Sequence, residues 1–425
     1  MRKNGFKDII LFHIKITEGI CMNQWALEIN RLADRFNLSN VSLPEIQLKV
    51  DAIFNVKDYL LKEGWKQIVL VYDKNTYDAA GKVLQDYLNR FSFRPIGILL
   101  RENELKQVIA DERSLMQVFV ETPNDTDALI AVGGGTIHDI VRFVGYKMGI
   151  PFISVPTAAS VDGFTSKGAP LILRGMKQTV QTASPVAVFA DINILKNAPK
   201  ELTASGFGDM LGKYTSLLDW EISKLIGDEP YDKACASMMR NALENCVKNV
   251  DAISKGDENG ITILMYSLLQ SGLVMQVLNH SRPASGAEHH LSHYWEIQLI
   301  KDNKKQLLHG AKVAVATTII VDLYKTYWST VLKSEKVKNS KYKKAMEENG
   351  QYIQSLINNL PSSSTLKQLI KKVGGPSTVM ELGIPEKMVL DSLNQAFHLR
   401  DRCTGLFLIN QFKEKKLELS FTNRN

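Results

Sequence analysis

Cysteine is scarce in this 425-residue chain, and no C-x-x-C pair occurs among Cys21, Cys235, Cys246 and Cys403. The nearest two lie eleven positions apart. That spacing excludes a zinc ribbon, a thioredoxin-type redox site and a disulfide scaffold, and reduced thiols fit a cytoplasmic protein. Low-complexity segments and internal repeats are also missing, so neither a disordered tail nor a solenoid is expected. No apolar run reaches the length needed to cross a bilayer. The first twenty residues have a basic start and an apolar stretch, Ile9–Phe12, but His13 and Lys15 follow and there is no small-residue cleavage site, so they do not form an export signal. Met22 is an alternative start. The expectation is a soluble, unexported protein.

What is present is ordinary globular composition, 44% hydrophobic and 23% charged. The length suits two domains better than one. The formal net charge is +7. Much of the excess sits in Lys333, Lys336, Lys338, Lys341, Lys343 and Lys344. With only Tyr342 interleaved, this run reads as a solvated face rather than a nucleic-acid arm.

Strand and helix signals alternate in the first half. Short apolar runs at Gln67–Tyr72, 95–100, 127–132, 151–155 and 187–190 read as buried strands, and a helical stretch spans roughly 77–88. Beyond about 195–203, helical spacing takes over, as at Leu211, Tyr214, Leu218, Ile222 and Leu225, and at Leu264, Leu268, Met275 and Leu278. The fold class expected is an α/β dinucleotide-binding domain with a mostly parallel sheet, residues 23–198, followed by an all-α metal-binding domain, residues 199–425.

Gly133-Gly134-Gly135-Thr136 ends a strand and opens a helix. Glycines there let backbone N–H groups approach an anion at a helix N-terminus, as a dinucleotide pyrophosphate requires. The same triplet also makes an unliganded tight turn, and it is not the G-x-G-x-x-G fingerprint. Asp139, one turn in, can bond the cofactor or cap the turn. Asp73, at the end of the first of these strands, can accept from a ribose hydroxyl or cap a turn.

Half of the eight histidines fall within 289–309. His289 and His293 share a helix face, and His309 opens the next helix after a loop that can fold it back. Asp209, behind Gly206 and Gly208, reads as a helix start. Each residue alone is ordinary, but Asp209, His289 and His309 together make a ligand set for a borderline divalent metal. The segment from Pro156 to Ser166 is dense in small and hydroxylated residues and follows a strand, where open α/β sheets bind ligands. Asp162 within it can hold substrate hydroxyls.

In this order, Gly133–Asp139, Pro156–Ser166, Gly206–Asp209, Ser281–His293 and Leu308-His309-Gly310 resemble the superfamily of iron-type alcohol dehydrogenases and dehydroquinate synthases. The closest likeness is to the bacterial sn-glycerol-1-phosphate dehydrogenase family, over roughly residues 23–412. The resemblance implies that Gly135, Thr136, Ile137, His138 and Asp139 bind NAD(H) or NADP(H), with Thr157, Ala158, Ala159, Ser160 and Ser166. It implies that Asp162 and His293 touch substrate, and that Asp209, His289 and His309 hold one divalent metal, zinc or nickel. It implies reduction of dihydroxyacetone phosphate and a homodimer. Relatives often carry Arg-Pro-x-Asp where this chain has Thr136-Ile137-His138-Asp139, and the amino-terminal extension is not a family feature. Lys167, Lys213 and Arg282 are candidates for a phosphate pocket. Glycerol dehydrogenase chemistry on an unphosphorylated polyol, a dehydroquinate-synthase-like lyase and a non-catalytic binding protein are the alternatives.

Overall fold

The computed structural model describes residue 31 and residues 44–418. Cys21, His13 and the first twenty-one residues lie outside the described residues.

The expected strands form with their ends moved by a residue or so. β1 (Glu45–Lys49), β2 (Gln67–Tyr72), β3 (Arg94–Leu99), β4 (Ala128–Gly133), β5 (Phe152–Pro156) and β8 (Ala187–Asp191) make one six-stranded sheet in the order β1-β8-β5-β4-β2-β3. Every pairing in it is parallel. Parallel strands need crossover helices on both faces, which explains the continuous apolar runs of β2, β4 and β5. Ile68, Leu70, Ile130 and Ile153 pack on Tyr59, Leu60, Leu84 and Leu88 on one side. Val69, Val71, Leu129 and Phe152 pack on Leu115, Val118, Ile140 and Val144 on the other.

Two elements go beyond the sequence expectation. β1 alternates polar and apolar residues and lies at the sheet edge. β6 (Gly168–Leu173) and β7 (Met176–Gln181) form an antiparallel hairpin. Its turn residues, Arg174 and Gly175, both have positive φ, 54° and 71°, the twist of a two-residue hairpin loop.

After Asp191 the described residues form helices and loops but no strand. The Glu258–Leu278 helix corrects the expectation about apolar runs. It is 21 residues long and contains an 18-residue stretch of mean hydropathy 1.6, enough by length and composition to cross a membrane, but 72% of that stretch is buried inside the protein. Leu264, Leu268 and Val274 belong to a cluster that also includes Ile46, Leu48 and Val188 of the sheet. The helix is apolar all round because protein surrounds it. The lysines of 333–344 are exposed as expected, and several pair with Glu335, Glu348 or Glu414.

Candidate active site

The strand order reverses between β2 and β4: the chain leaves β2 towards β3 and leaves β4 towards β5 on the other side. A crevice forms at the carboxyl ends of strands where such connections diverge. The glycine turn lies there, between β4 and the 14-residue helix Gly135–Met148. A side chain on Gly134 would meet open space, with no atom within 4 Å. That space lies at the N-terminus of a long helix, which suits an anionic group.

The other residues expected at the cofactor divide by where their side chains point. Thr157 N–H donates to the Gly133 carbonyl at 3.1 Å, tying the loop after β5 to the glycine turn. Ala158 and Ala159 are buried, and the Ser160 carbonyl accepts from the Ser205 hydroxyl. Thr136 lies in the first turn of the helix and is partly exposed. Ile137 is 1% exposed and packs in the core, so it offers only its backbone to the crevice. His138 likewise turns inward. Its Nδ1 lies 2.8 Å from the Gly134 carbonyl and its Nε2 2.7 Å from the Ser154 hydroxyl, and burial pushes the imidazole down to about 3. Asp139 pairs with Arg142 at 2.9 Å, and burial nonetheless raises its carboxyl to about 7. Asp73 caps the short helix after β2, accepting from Thr76 N–H at 2.8 Å. Ser166 bonds back to the carbonyls of Gly163 and Gly168.

Asp209, His289 and His309 do converge. One ligand atom from each lies within 4.8 Å of the others. His309 Nε2 is 3.3 Å from His289 Nε2, and His289 Nε2 is 3.8 Å from an Asp209 oxygen. Donors about 2.0–2.2 Å from one tetrahedral ion are roughly 3.3–3.6 Å apart, so the histidine pair already has that spacing and Asp209 would close in by a few tenths of an ångström to share a cation. Asp209 differs from the sequence expectation in one respect. It stands in the last turn of the Lys200–Leu211 helix, not at a helix start. The two glycines before it sit inside the helix and serve close packing contacts. A Cβ on Gly206 would overlap the Ala159 carbonyl, and one on Gly310 would overlap the Ser205 carbonyl. These two glycines let the Asp209 helix press against both the loop after β5 and the His309 helix.

Other groups fix the ligands. Glu288 Oε1 lies 2.7 Å from His289 Nδ1 and accepts from Gly286 N–H, while Oε2 accepts from the Thr215 hydroxyl at 2.6 Å. A carboxylate there places the proton on Nδ1 and leaves the Nε2 lone pair facing His309. Burial first, then neighbouring cations and imidazoles, hold His309 and His293 well below the ordinary range, in the neutral form. Lys213 Nζ lies 2.7 Å from Asp162 and 3.2 Å from Asp209. Burial alone would favour the neutral amine, but the two carboxylates outweigh it and raise its pKa. Asp162 N–H donates to Asp209, and the Asp162 carboxylate also accepts from Ser271. Asp162 is therefore wired to Asp209 directly and through Lys213. The His293 ring lies 5.9 Å from His289 and 6.1 Å from His309, beside the cluster rather than in it.

Sequence reasoning misses Glu288, Lys177, Lys312 and Arg400. Lys177 of β7 and Lys312 both bind Glu296 Oε2, at 2.7 and 2.9 Å. Glu288 is legible as the neighbour of a ligand histidine. Lys177 and Arg400 are not, because the hairpin and the 400–404 segment reach the cleft only through the tertiary fold.

The family model for iron-containing alcohol dehydrogenase matches residues 47–199. A glycerol-1-phosphate dehydrogenase, NAD(P)+, from Geobacillus thermodenitrificans is 46% identical over 88% of this chain and 93% of its own length. One from Bacillus subtilis is 44% identical over 92% and 98%. A glycerol dehydrogenase from Schizosaccharomyces pombe superposes with TM-score 0.63 at 20% identity, covering 90% of this chain and 87% of that one. A butanol dehydrogenase from Thermotoga maritima gives 0.61 at 14% identity, over 89% and 94%. These two structures share the fold, and the identity to the curated relatives decides the rest: this chain belongs to the glycerol-1-phosphate dehydrogenase, NAD(P)+, family.

Proposed function

We propose that this protein is a metal-dependent, NAD(P)-linked oxidoreductase that reduces dihydroxyacetone phosphate to sn-glycerol 1-phosphate. The observation that carries this is the convergence of Asp209, His289 and His309 beside the loop that joins the glycine-turn crevice to them. The relatives' name supplies the substrate.

In this reading Asp209, His289 and His309 hold the divalent ion, and the crevice at Gly133–Gly135 and Thr157–Ser160 holds the dinucleotide. When bound, the ion supplies a Lewis acid for a carbonyl and the nicotinamide supplies hydride. Glu288 keeps the His289 lone pair aimed at the site, and Lys213 with Asp162 keeps Asp209 in place. His293 is near enough to the cluster to hold substrate, and its neutral ring can relay a proton to a developing alkoxide. Zinc or nickel as the ion, a homodimer, a cytoplasmic location and a division of the chain near 195–203 belong to the same proposal, on the strength of the family likeness.

The test is loss of NADH or NADPH absorbance with dihydroxyacetone phosphate, on protein stripped of metal and reloaded with zinc or nickel. Metal-dependent loss is expected. A faster reaction with unphosphorylated dihydroxyacetone would transfer the assignment to a polyol dehydrogenase. No loss with either substrate would sink the oxidoreductase reading.

A further inference from the structure

The most specific sequence motif, Ser281–His293, is only partly used by the ligand set, and its unused residues face two arginines, Arg402 buried and Arg400 partly buried. Arg400 Nη1 lies 3.1 Å from the Ser285 hydroxyl and 3.4 Å from that of Ser281, and its Nη2 lies 3.5 Å from His293 Nδ1. Arg402 is 8% exposed and donates to the Ser285 carbonyl, but its Nε and Nη2 have no partner. Both ring nitrogens of buried His290 are likewise unpartnered.

Among the described residues neither arginine has an ion pair. The carboxylates that act on them from longer range are engaged elsewhere. Glu288 is bound to His289, Gly286 and Thr215. Asp219 is bound to Tyr324, Ala287 and Gly405, and Glu229 to Arg282 and Cys403 N–H. Burial and the nearby Arg402 charge lower Arg400 to about 10. One buried and one partly buried cation without an anion in contact among the described residues are costly unless the missing anion is a ligand.

We propose that Arg400, with the Ser281 and Ser285 hydroxyls, is the subsite for the substrate's phosphomonoester. This deepens the dehydrogenase reading and rests on it. An arginine fork with two hydroxyl donors matches the tetrahedral oxygens of a phosphate. His293 lies between the two places. His293 contacts Arg400 on one side and lies about 6 Å, ring to ring, from His289 and His309 on the other. A three-carbon phosphomonoester extends about 5 Å from carbonyl oxygen to phosphorus, four bonds of about 1.5 Å. The basic residues that the sequence suggests for this role are otherwise committed: Lys213 to Asp162 and Asp209, and Arg282 to Glu229 at 2.8 Å. Lys167 has no ion pair among the described residues, and its carbonyl accepts from the Thr182 hydroxyl at 2.8 Å. Lys177 and Lys312 already share Glu296.

The experiment compares kcat/KM for dihydroxyacetone phosphate with that for dihydroxyacetone, in the metal-loaded wild type, Arg400→Gln, Arg400→Lys and Lys177→Gln. Binding of inorganic phosphate is measured by calorimetry alongside. Arg400→Gln is expected to lower the preference for the phosphorylated substrate about 10- to 100-fold, mainly through KM, and to weaken phosphate binding in parallel. Arg400→Lys should fall between, because a point charge lacks the fork. An unchanged preference in a folded Arg400→Gln, or a loss confined to Lys177→Gln, would overturn the proposal. If Arg400→Gln fails to fold, Ser285→Ala decides: a several-fold weaker phosphate affinity supports the subsite and an unchanged one refutes it. A wild type without preference for the phosphorylated substrate would refute the functional reading, and this subsite with it.

Discussion

Replacing Glu288 with glutamine removes one charge and almost no volume. The carboxylate is fully buried and uses both oxygens, one for Gly286 N–H and His289 Nδ1, the other for the Thr215 hydroxyl. A glutamine can keep its oxygen on Gly286 and His289 and turn its amide towards Thr215, whose hydroxyl can accept, so the fold should survive. What is lost is the negative charge behind the imidazole, which makes the Nε2 lone pair a stronger metal ligand. Removing such a partner weakens metal binding by about 10- to 100-fold, or ~1.4–2.7 kcal/mol. Titrating metal-free protein with zinc against a competing chelator reads this without any turnover, and the thermal shift on adding metal is a second readout. Asp209→Ala, which deletes a ligand, should lose more. If Glu288→Gln bound zinc as tightly as the wild type, the orienting role would be wrong. If Asp209→Ala did so too, the metal site itself would be refuted.

Gly310→Ala places a methyl group on the Ser205 carbonyl, beside the Asp209 amide. Neither is a flexible side-chain end, so a cost of about 1–3 kcal/mol or more is expected, seen as a lower melting temperature and weaker zinc binding. An unchanged melting temperature would show that the two helices can separate freely. For His138, burial lowers the folded pKa from 6.5 to about 3, so the unfolded chain binds the extra proton between those values. Its contribution is therefore whole above pH 6.5 and is lost as pH falls, by about 1.4 kcal/mol per unit. His138→Gln should flatten the stability profile between pH 6 and pH 4 by roughly that slope in urea titrations, and parallel profiles would refute it.

How much is legible depends on range. The strands β2, β4 and β5 can be read because a parallel sheet covered on both faces demands unbroken apolar runs. β1 escapes because an edge strand does not. The β6–β7 hairpin escapes because its outer strand is largely polar and exposed. The candidate metal cluster can be named because two histidines and an aspartate keep their chemistry wherever the chain carries them. Asp209 nonetheless stands at the opposite end of its helix from the one its sequence suggests, because glycines used for packing inside a helix give no local signal of where that helix begins.

The sequence by itself determined the alternation of elements, the helix-opening glycine turn and which residues are candidate metal donors. Those depend on local periodicity and on side-chain chemistry, which do not need the rest of the molecule. Only the tertiary structure decided which cations remain free. Lys213 and Arg282 look available in the sequence, but each is neutralised by a carboxylate from elsewhere in the chain, Asp162 and Glu229. Arg400 looks like one more basic residue near the end, yet the fold places it beside Ser285 and His293 with no ion pair among the described residues. Charge pairing of that kind falls off over a few ångströms, so it is set by distances in space, and the order of residues along the chain does not fix them.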